Sequence, residues 1–359
     1  MNSESNKITS RKQQHVELCV EQDVTFRNKT AGFENYDFVY NALPEMNFDD
    51  TTVATMFLRK HLRLPLIVSS MTGGYPDAER INAQLAEICQ TYQLAMGVGS
   101  MRQAIDNTTH HSTFSVTRKY APDIPLCANI GATEIATMKD HKKLYTLIDL
   151  IRADALIIHL NPLQELLQPE GTPNYRSVLK GIEQTVNTLN VPVIVKEVGA
   201  GISADVAQRL LDVGVRIIDV AGAGGTSWAG VEILRNSNRE TLTEFWDIGI
   251  PTTECLIQVQ KLKQKTPFTL IASGGITNGV EIAKAIALGA DLCGIARPVL
   301  QTLINQGTTA LEKKILDWEL QLRSVMFLTG VQSLHDLYAA LTSSVSSQYK
   351  TTTGIHDIS

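Results

Sequence analysis

Little in this chain ties it to a membrane, a disulfide framework or nucleic acid. Its 359 residues include five cysteines, Cys19, Cys89, Cys127, Cys255 and Cys293, widely scattered and without a C-x-x-C pair. Such spacing argues against a zinc ribbon, an iron–sulfur motif or a disulfide scaffold, and predicts reduced thiols in a core. No apolar run approaches the length of a bilayer span, and the polar start from Met1 to Ser10 lacks the apolar segment of a secretory signal. The expectation is a soluble cytoplasmic protein. Basic and acidic residues number 32 and 37, a formal net charge of −5, so neither a general nucleic-acid surface nor a polybasic lipid patch is expected. An anionic ligand would have to be met by a local cluster of cations.

What the chain does have is a rhythm. Short apolar runs begin near Leu66, Ala95, Leu126, Ala155, Val193, Ile217, Leu270 and Leu292. They are followed by Ser70-Met71-Thr72-Gly73-Gly74, Ser100-Met101-Arg102, Asn129, His159, Lys196, Ala221-Gly222, Ser273-Gly274-Gly275 and Ala296-Arg297. Most intervals fit a strand, a loop, a helix and a return loop, which predicts an α/β fold, a (β/α)8 TIM barrel with its polar strand ends on one rim. Amphipathic stripes predict helices over Ala78 to Tyr92, Ala204 to Leu211 and Ile282 to Leu288, with Gly214 and Gly289 at helix ends. Residues 1–60 read as an N-terminal extension packed over the rim, 61–342 as the barrel with C-terminal helices, and 343–359 as a polar, disordered tail. One of those C-terminal helices spans Ala310 to Phe327, and a shorter one lies near Leu334. The gap from Gly222 through Asn236-Ser237-Asn238 to Gly249 is too long for an ordinary loop, and loops of that kind on the rim are usually lids or binding loops.

The last two strand ends carry the chemistry of a phosphate cradle. Ser273-Gly274-Gly275-Ile276-Thr277-Asn278-Gly279 offers glycines for close backbone approach, with Thr277 or Asn278 to cap the next helix, and Ala296-Arg297-Pro298 supplies the other jaw. The alternative is a tight strand-to-helix turn that uses glycine for geometry alone. A dinucleotide fold is disfavoured, because Gly97-Val98-Gly99 and Gly199-Ala200-Gly201 both lack the third glycine of that fingerprint.

Lys196 at a strand end has two functional readings, a Schiff-base amine as in an aldolase or a permanent cation beside an electron-rich cofactor. Strand alternation points Glu197 to the other side, which disfavours direct pairing of the two. With a phosphate cradle nearby, the cation is compatible with flavin mononucleotide. The segment His159-Leu160-Asn161-Pro162-Leu163-Gln164-Glu165 opens a helix, with Asn161 as cap and Pro162 at its first position. Glu165 is its single carboxylate, sufficient for a magnesium ion that completes its shell with water and substrate phosphate. A first-turn charge favoured by the helix dipole explains Glu165 equally well, but leaves His159 and Gln164 without a role.

Arg11-Lys12-x-x-His15, Met71-Thr72-Gly73-Gly74, His159-x-Asn161-x-x-Gln164-Glu165, Val195-Lys196-Glu197 and Gly224-Gly225-Thr226-Ser227-Trp228 together resemble the type 2 isopentenyl-diphosphate isomerases. The resemblance runs in order from Arg11 to Arg297. It implies a flavoprotein barrel that interconverts isopentenyl and dimethylallyl diphosphate using reduced FMN and Mg2+, with NADPH as reductant, and that assembles as a homo-oligomer, a tetramer or octamer. It implies flavin contacts from Ser70, Met71, Thr72, Ser100, Asn129, Lys196 and Thr226, with Gly274, Gly275, Ile276, Ala296 and Arg297 on the phosphate side. Substrate contacts would come from Arg11, Lys12, His15, Ser100, Met101, Arg102, Asn161 and Gln164. Gln164, His159 and Lys196 would serve catalysis and Glu165 would hold the metal. One departure stands out: Thr277 occupies a place where the family commonly has arginine, so phosphate binding would lean on backbone amides and a hydroxyl. Another flavin barrel, such as a 2-hydroxyacid oxidase or dehydrogenase, is the main rival, and a barrel that binds flavin or phosphate without catalysis is a further one.

Overall fold

Eight parallel strands close into a barrel in the computed structural model of the chain, which describes residues 3–236 and 239–343. In chain order the barrel strands are β1 (Leu66–Val68), β2 (Ala95–Gly97), β3 (Leu126–Gly131), β4 (Ala155–Leu160), β5 (Val193–Glu197), β6 (Ile217–Asp219), β7 (Thr269–Ser273) and β8 (Leu292–Ile295). Each pairs with its successor and β8 pairs with β1, as a (β/α)8 barrel requires. The strands start where the apolar runs start, β7 one residue earlier.

Helix α1 (Ser3–Glu21) precedes the barrel. The crossovers are α2 (Ala78–Thr91) after β1, α3 (Ser112–Tyr120) after β2, and α4 (Ala132–Thr137) with α5 (Tyr145–Ile151) after β3. Next come α6 (Pro162–Leu167) and α7 (Val178–Thr188) after β4, then α8 (Ala204–Asp212) after β5. After β6 follow α9 (Trp228–Arg235), α10 (Arg239–Leu242) and α11 (Thr252–Val259), and after β7 follows α12 (Gly279–Ala287). The chain then adds α13 (Arg297–Gln306), α14 (Thr308–Thr329) and the short α15 (Leu337–Ala340). Gly214 and Gly289 do follow α8 and α12, with φ of 93° and 103° that suit glycine.

The gap after β6 is not the long loop expected from its length. Helices α9 and α10 occupy it, and Trp246 folds back to pack with Ala229, Ile233 and Leu167. Ser237 and Asn238, and everything after Ser343, lie outside the described residues.

Period-two alternation sorts the strand residues into two cores. Ile67, Ala95, Cys127, Ala155, Ile157, Ile194, Ile217, Ile271 and Leu292 fill the barrel interior, whereas their neighbours Val68, Met96, Ala128, Ile158, Val195, Ile218 and Ala272 face the helices. An antiparallel hairpin, Thr55–Phe57 with Lys60–Leu62, adds Phe57 and Leu62 to the interior cluster and so stops the lower end of the barrel. This hairpin spans the boundary drawn at residue 60. Tyr36–Phe38 pairs with Leu341–Ser343, joining the segment before the barrel to the last described residues. All five cysteines are buried and free, and burial pushes the Cys19 and Cys255 thiols up to about 12. Among the described residues no helix is long and apolar enough to cross a membrane.

Candidate active site

The same alternation decides which polar side chains enter the upper end of the barrel. Residues two past an interior apolar residue point inward, which brings Ser69, Asn129, His159, Lys196, Asp219 and Ser273 to one layer above Ile67, Cys127, Ile157, Ile194, Ile217 and Ile271. Above this layer opens a cavity of about 470 Å³, the size range of a cofactor or small-ligand site.

Its floor holds Lys196 and His159, which are register neighbours on β5 and β4. The Lys196 Nζ donates to the Glu197 carbonyl at 2.6 Å, while the Glu197 carboxylate turns away and accepts the backbone N–H groups of Val198, Gly199 and Ala200 at 2.5–2.7 Å. The two side chains therefore diverge, as alternation predicts. Asp219, paired in register with Lys196, accepts the Ser273 hydroxyl at 2.6 Å; burial pushes its carboxyl up. His159 Nδ1 lies 2.9 Å from Asn129 Oδ1, and burial, reinforced by Lys196, Lys12 and Arg11, pulls the imidazole down to about 3. It is a neutral ring near neutral pH.

One wall is backbone. Gly274 and Gly275 have φ of 103° and 74°, and a Cβ on Gly274 would fall 2.0 Å from the Gly222 carbonyl oxygen, so glycine is required where the turns after β6 and β7 meet. Asn278 caps α12 by accepting the Glu281 N–H at 2.9 Å. Thr277 lines the cavity, and its N–H and Oγ1 both bond the Glu281 carboxylate, at 2.7 and 2.9 Å. The cradle open to an anion is formed by the Gly274–Gly275 turn, Thr277 and the N-terminus of α13, where Arg297 and Pro298 line the cavity.

Across the mouth from Arg297 lies the segment opened by Asn161. Asn161 occupies the position before α6, but its side chain does not cap; its amide bonds Gln164 Oε1 and Glu165 Oε1, both at 3.1 Å, and its Oδ1 accepts the Tyr175 hydroxyl at 2.7 Å. Gln164 in turn donates to Glu232 at 2.9 Å, so its amide is held at both ends. Glu165 also accepts the Thr172 N–H at 2.8 Å and lines the cavity.

Helix α1 covers the mouth. Its Arg11, Lys12 and His15 line the cavity, and they approach it from a helix, not from the solvated tail that such charges usually form. Lys12 donates to the Ser100 carbonyl at 2.6 Å; burial, then the neighbouring Arg11, pulls its ammonium down to about 7. His15 Nε2 lies 2.8 Å from Glu232, with its ring edge-on to Trp228. Glu232 is fully buried and also takes Arg235 at 2.5 Å; burial alone would push its carboxyl up, but the bonds from His15 and the charge of Arg235 leave it below the usual range. Arg102 pairs with Glu134 at 3.1 Å on the rim.

Of the residues singled out from sequence, Arg11, Lys12, His15, Ser70, Met71, Ser100, Arg102, Asn129, His159, Asn161, Gln164, Glu165, Lys196, Thr226, Gly274, Gly275, Ile276, Ala296 and Arg297 line this cavity. Thr72 and Met101 do not: the Thr72 hydroxyl bonds Asn82, and Met101 is wholly buried in the outer core. Sequence reasoning missed Glu232, Asp219, Tyr175 and Glu134. Asp219 was legible by parity from Ile217; Glu232 lies in the apolar-rich helix Trp228–Arg235 with partners far away in the chain, and no local signal marks it.

The donor set fits a flavin mononucleotide. The Lys196 amine stands at the floor, free glycine backbone and a helix N-terminus form one wall, and the Ser70 hydroxyl, buried against the cavity, has no hydrogen-bond partner among the described residues. The opposite wall fits a magnesium-bound anion, with Glu165 as the one carboxylate and Arg11, Lys12 and Arg102 as cations; among the described residues no cluster of three or more His, Cys, Asp or Glu side chains makes a closed metal site.

Comparison with known proteins finds close relatives of the chain. A family profile described as FMN-dependent dehydrogenase matches residues 165–344. The chain is 48% identical to an isopentenyl-diphosphate delta-isomerase of Chlorobium phaeovibrioides over 93% of its own length and 96% of that protein's. It is 47% identical to the protein of the same name from Chlorobium luteolum, over 93% and 95% of the two lengths. A solved flavocytochrome b2 variant with sulfite bound shares the fold, with a TM-score of 0.68 at 15% identity, covering 99% of this chain and 92% of that one.

Proposed function

The chain belongs to the FMN-dependent, type 2 isopentenyl-diphosphate delta-isomerase family, and from that premise we propose that it interconverts isopentenyl diphosphate and dimethylallyl diphosphate by a 1,3-allylic proton shift. The observation that carries this reading is that Lys196 and Glu165, one in the flavin-fitting half and one in the anion-fitting half, line a single cavity.

Ser70, Met71, Ser100, Asn129, Lys196 and Thr226 would hold the ring side of FMN, and Gly274, Gly275, Ile276, Ala296 and Arg297 its phosphate side. Reduced FMN, when bound, supplies an electron-rich face and proton-exchanging ring nitrogens, the acid–base chemistry that an unactivated alkene demands; NADPH would be the hydride donor that primes it. Lys196, whose amine lies on the barrel floor, would favour an anionic reduced ring. Glu165 would hold Mg2+, with water and diphosphate oxygens completing its shell.

The chain's own groups do the remaining work. Arg11, Lys12, His15 and Arg102 meet the diphosphate, aided by Ser100 and Asn161; an anion able to bond Arg102 would compete with Glu134 for it. Gln164, held between Asn161 and Glu232 in the cavity wall, would orient the alkene. His159 acts as a neutral hydrogen-bonding wall, since its depressed basicity keeps a second charge away from Lys196. Helix α1 excludes water from a carbocationic transition state.

The low net charge and the lack of an apolar span among the described helices support a soluble, cytoplasmic enzyme. A homo-oligomer is supported by exposed apolar side chains, Val39, Tyr40 and Leu43 beside Leu328 and Tyr338, on segments bonded to one another. The reaction is tested anaerobically with the flavin reduced once by a limited amount of dithionite. Many product molecules per electron pair support isomerisation; product limited to one per electron pair would mark a net redox enzyme and reject the proposal.

A further inference from the structure

The last carbonyls of α1 have no partner within their own helix. Two side chains of α13 supply them: Arg297 donates Nε to the Cys19 carbonyl and Nη2 to the Gln22 carbonyl, both at 2.8 Å, while Gln301 donates Nε2 to Cys19 at 3.2 Å and Val20 at 3.4 Å. A cation at the first residue of α13 is unfavourable for that helix's own dipole. It is favourable at the negative end of α1, which explains where the guanidinium lies. The chain just past α1 is bonded to the other flavin-facing turn: Phe26 N–H donates to the Gly225 carbonyl at 3.2 Å, and Ser227 N–H to that of Val24 at 2.7 Å.

Helix α1 therefore carries Arg11, Lys12 and His15 at the mouth while its C-terminal end is bolted to the two turns that form the cofactor cradle. We propose that Gln301, one helical turn beyond the phosphate jaw and itself in the cavity lining, is a positioning residue for substrate: it sets the register of α1, and through α1 the placement of the diphosphate-binding cations over the cofactor. Arg297 shares the task but also faces the cradle, so Gln301 is the residue that separates positioning of α1 from cofactor binding. The inference rests on the functional reading above for the identity of the ligand, not for the existence of the tether.

Gln301→Leu removes the donor at nearly constant volume; Gln301→Lys keeps one. In the FMN-loaded enzyme, Gln301→Leu raises KM for isopentenyl diphosphate about fivefold to tenfold, the worth of one or two modest hydrogen bonds, with kcat within about twofold and flavin content unchanged. Tryptic cleavage after Arg11 and Lys12 accelerates in parallel, and Gln301→Lys restores both values. Unchanged KM and cleavage in Gln301→Leu, or a KM change that only follows loss of flavin, would overturn the proposal. If no variant, wild type included, turns over the diphosphate, the isomerase reading fails, and the cleavage rates still decide the tether.

Discussion

A change of pH across neutrality titrates one ligand-facing group more than any other, the Lys12 amine. Its Nζ is bonded to the Ser100 carbonyl at 2.6 Å and sits 5.4 Å from the centre of the Phe114 ring, with Arg11 adjacent in the chain. Burial and then the Arg11 charge lower it from 10.5 to about 7. At about 1.4 kcal/mol per pKa unit this disfavours the charged amine by on the order of 5 kcal/mol, an upper bound because the residue is only partly buried. A diphosphate beside it stabilises the charged form, so binding takes up a proton above neutrality. The direction follows: below about pH 7 the amine is already charged and affinity is full. As pH rises through that value affinity falls, by up to about tenfold per pH unit, until the amine's pKa in the complex is reached. Lys12→Arg carries its charge throughout this range and shares every other titration, including that of the diphosphate. KM for isopentenyl diphosphate, measured on both enzymes from about pH 6 to about pH 9, should diverge above neutrality, with the wild type weakening more. Parallel profiles would refute the assignment of Lys12 to the anion.

Three further outcomes follow from the same contacts. Lys196→Ala weakens FMN binding or slows its reduction by about tenfold or more, the worth of a charge-assisted contact, read by flavin fluorescence and anaerobic reduction; normal flavin content with normal turnover would discard the role. Glu165→Gln raises the magnesium concentration for half-maximal rate by about a hundredfold, measured by titration after chelation, whereas an unchanged requirement would move the metal elsewhere. Glu232→Leu leaves Arg235 and His15 facing an apolar group and costs about 3–5 kcal/mol of stability, seen as a lowered unfolding midpoint. It also reduces kcat because Gln164 loses one of its two anchors; a stable, fully active variant would contradict the network.

The barrel was legible because each strand is a short buried apolar run, and runs of that kind followed by polar or glycine ends repeat eight times. Parity within those runs also fixed the inward direction of Lys196 and the outward one of Glu197. Helix α1 was legible only in part: residues 1–60 read as an extension over the rim, but its helical form did not, because its apolar Val16 and Cys19 are buried only through contacts made far away in the chain. For the same reason the Gln164–Glu232–His15 contacts, which bring residues 68 and 217 positions from Glu232 onto one carboxylate, have no local signature. Asn161 shows the limit of a capping rule: position predicted the helix start, but Tyr175, Gln164 and Glu165 took the side chain. Thr277 is the opposite case: it lines the cavity, and the Glu281 that accepts its hydroxyl lies four residues on, a partner visible in the sequence.

The central claim is that cofactor and diphosphate meet in one barrel mouth. Titrating the oxidised FMN-loaded enzyme with isopentenyl diphosphate while recording the flavin absorption band tests it directly. The account predicts a saturable band shift that requires Mg2+, vanishes on chelation and is lost in Glu165→Gln. Diphosphate binding detected by calorimetry, with the flavin spectrum unmoved and the same affinity in flavin-free protein, would contradict it.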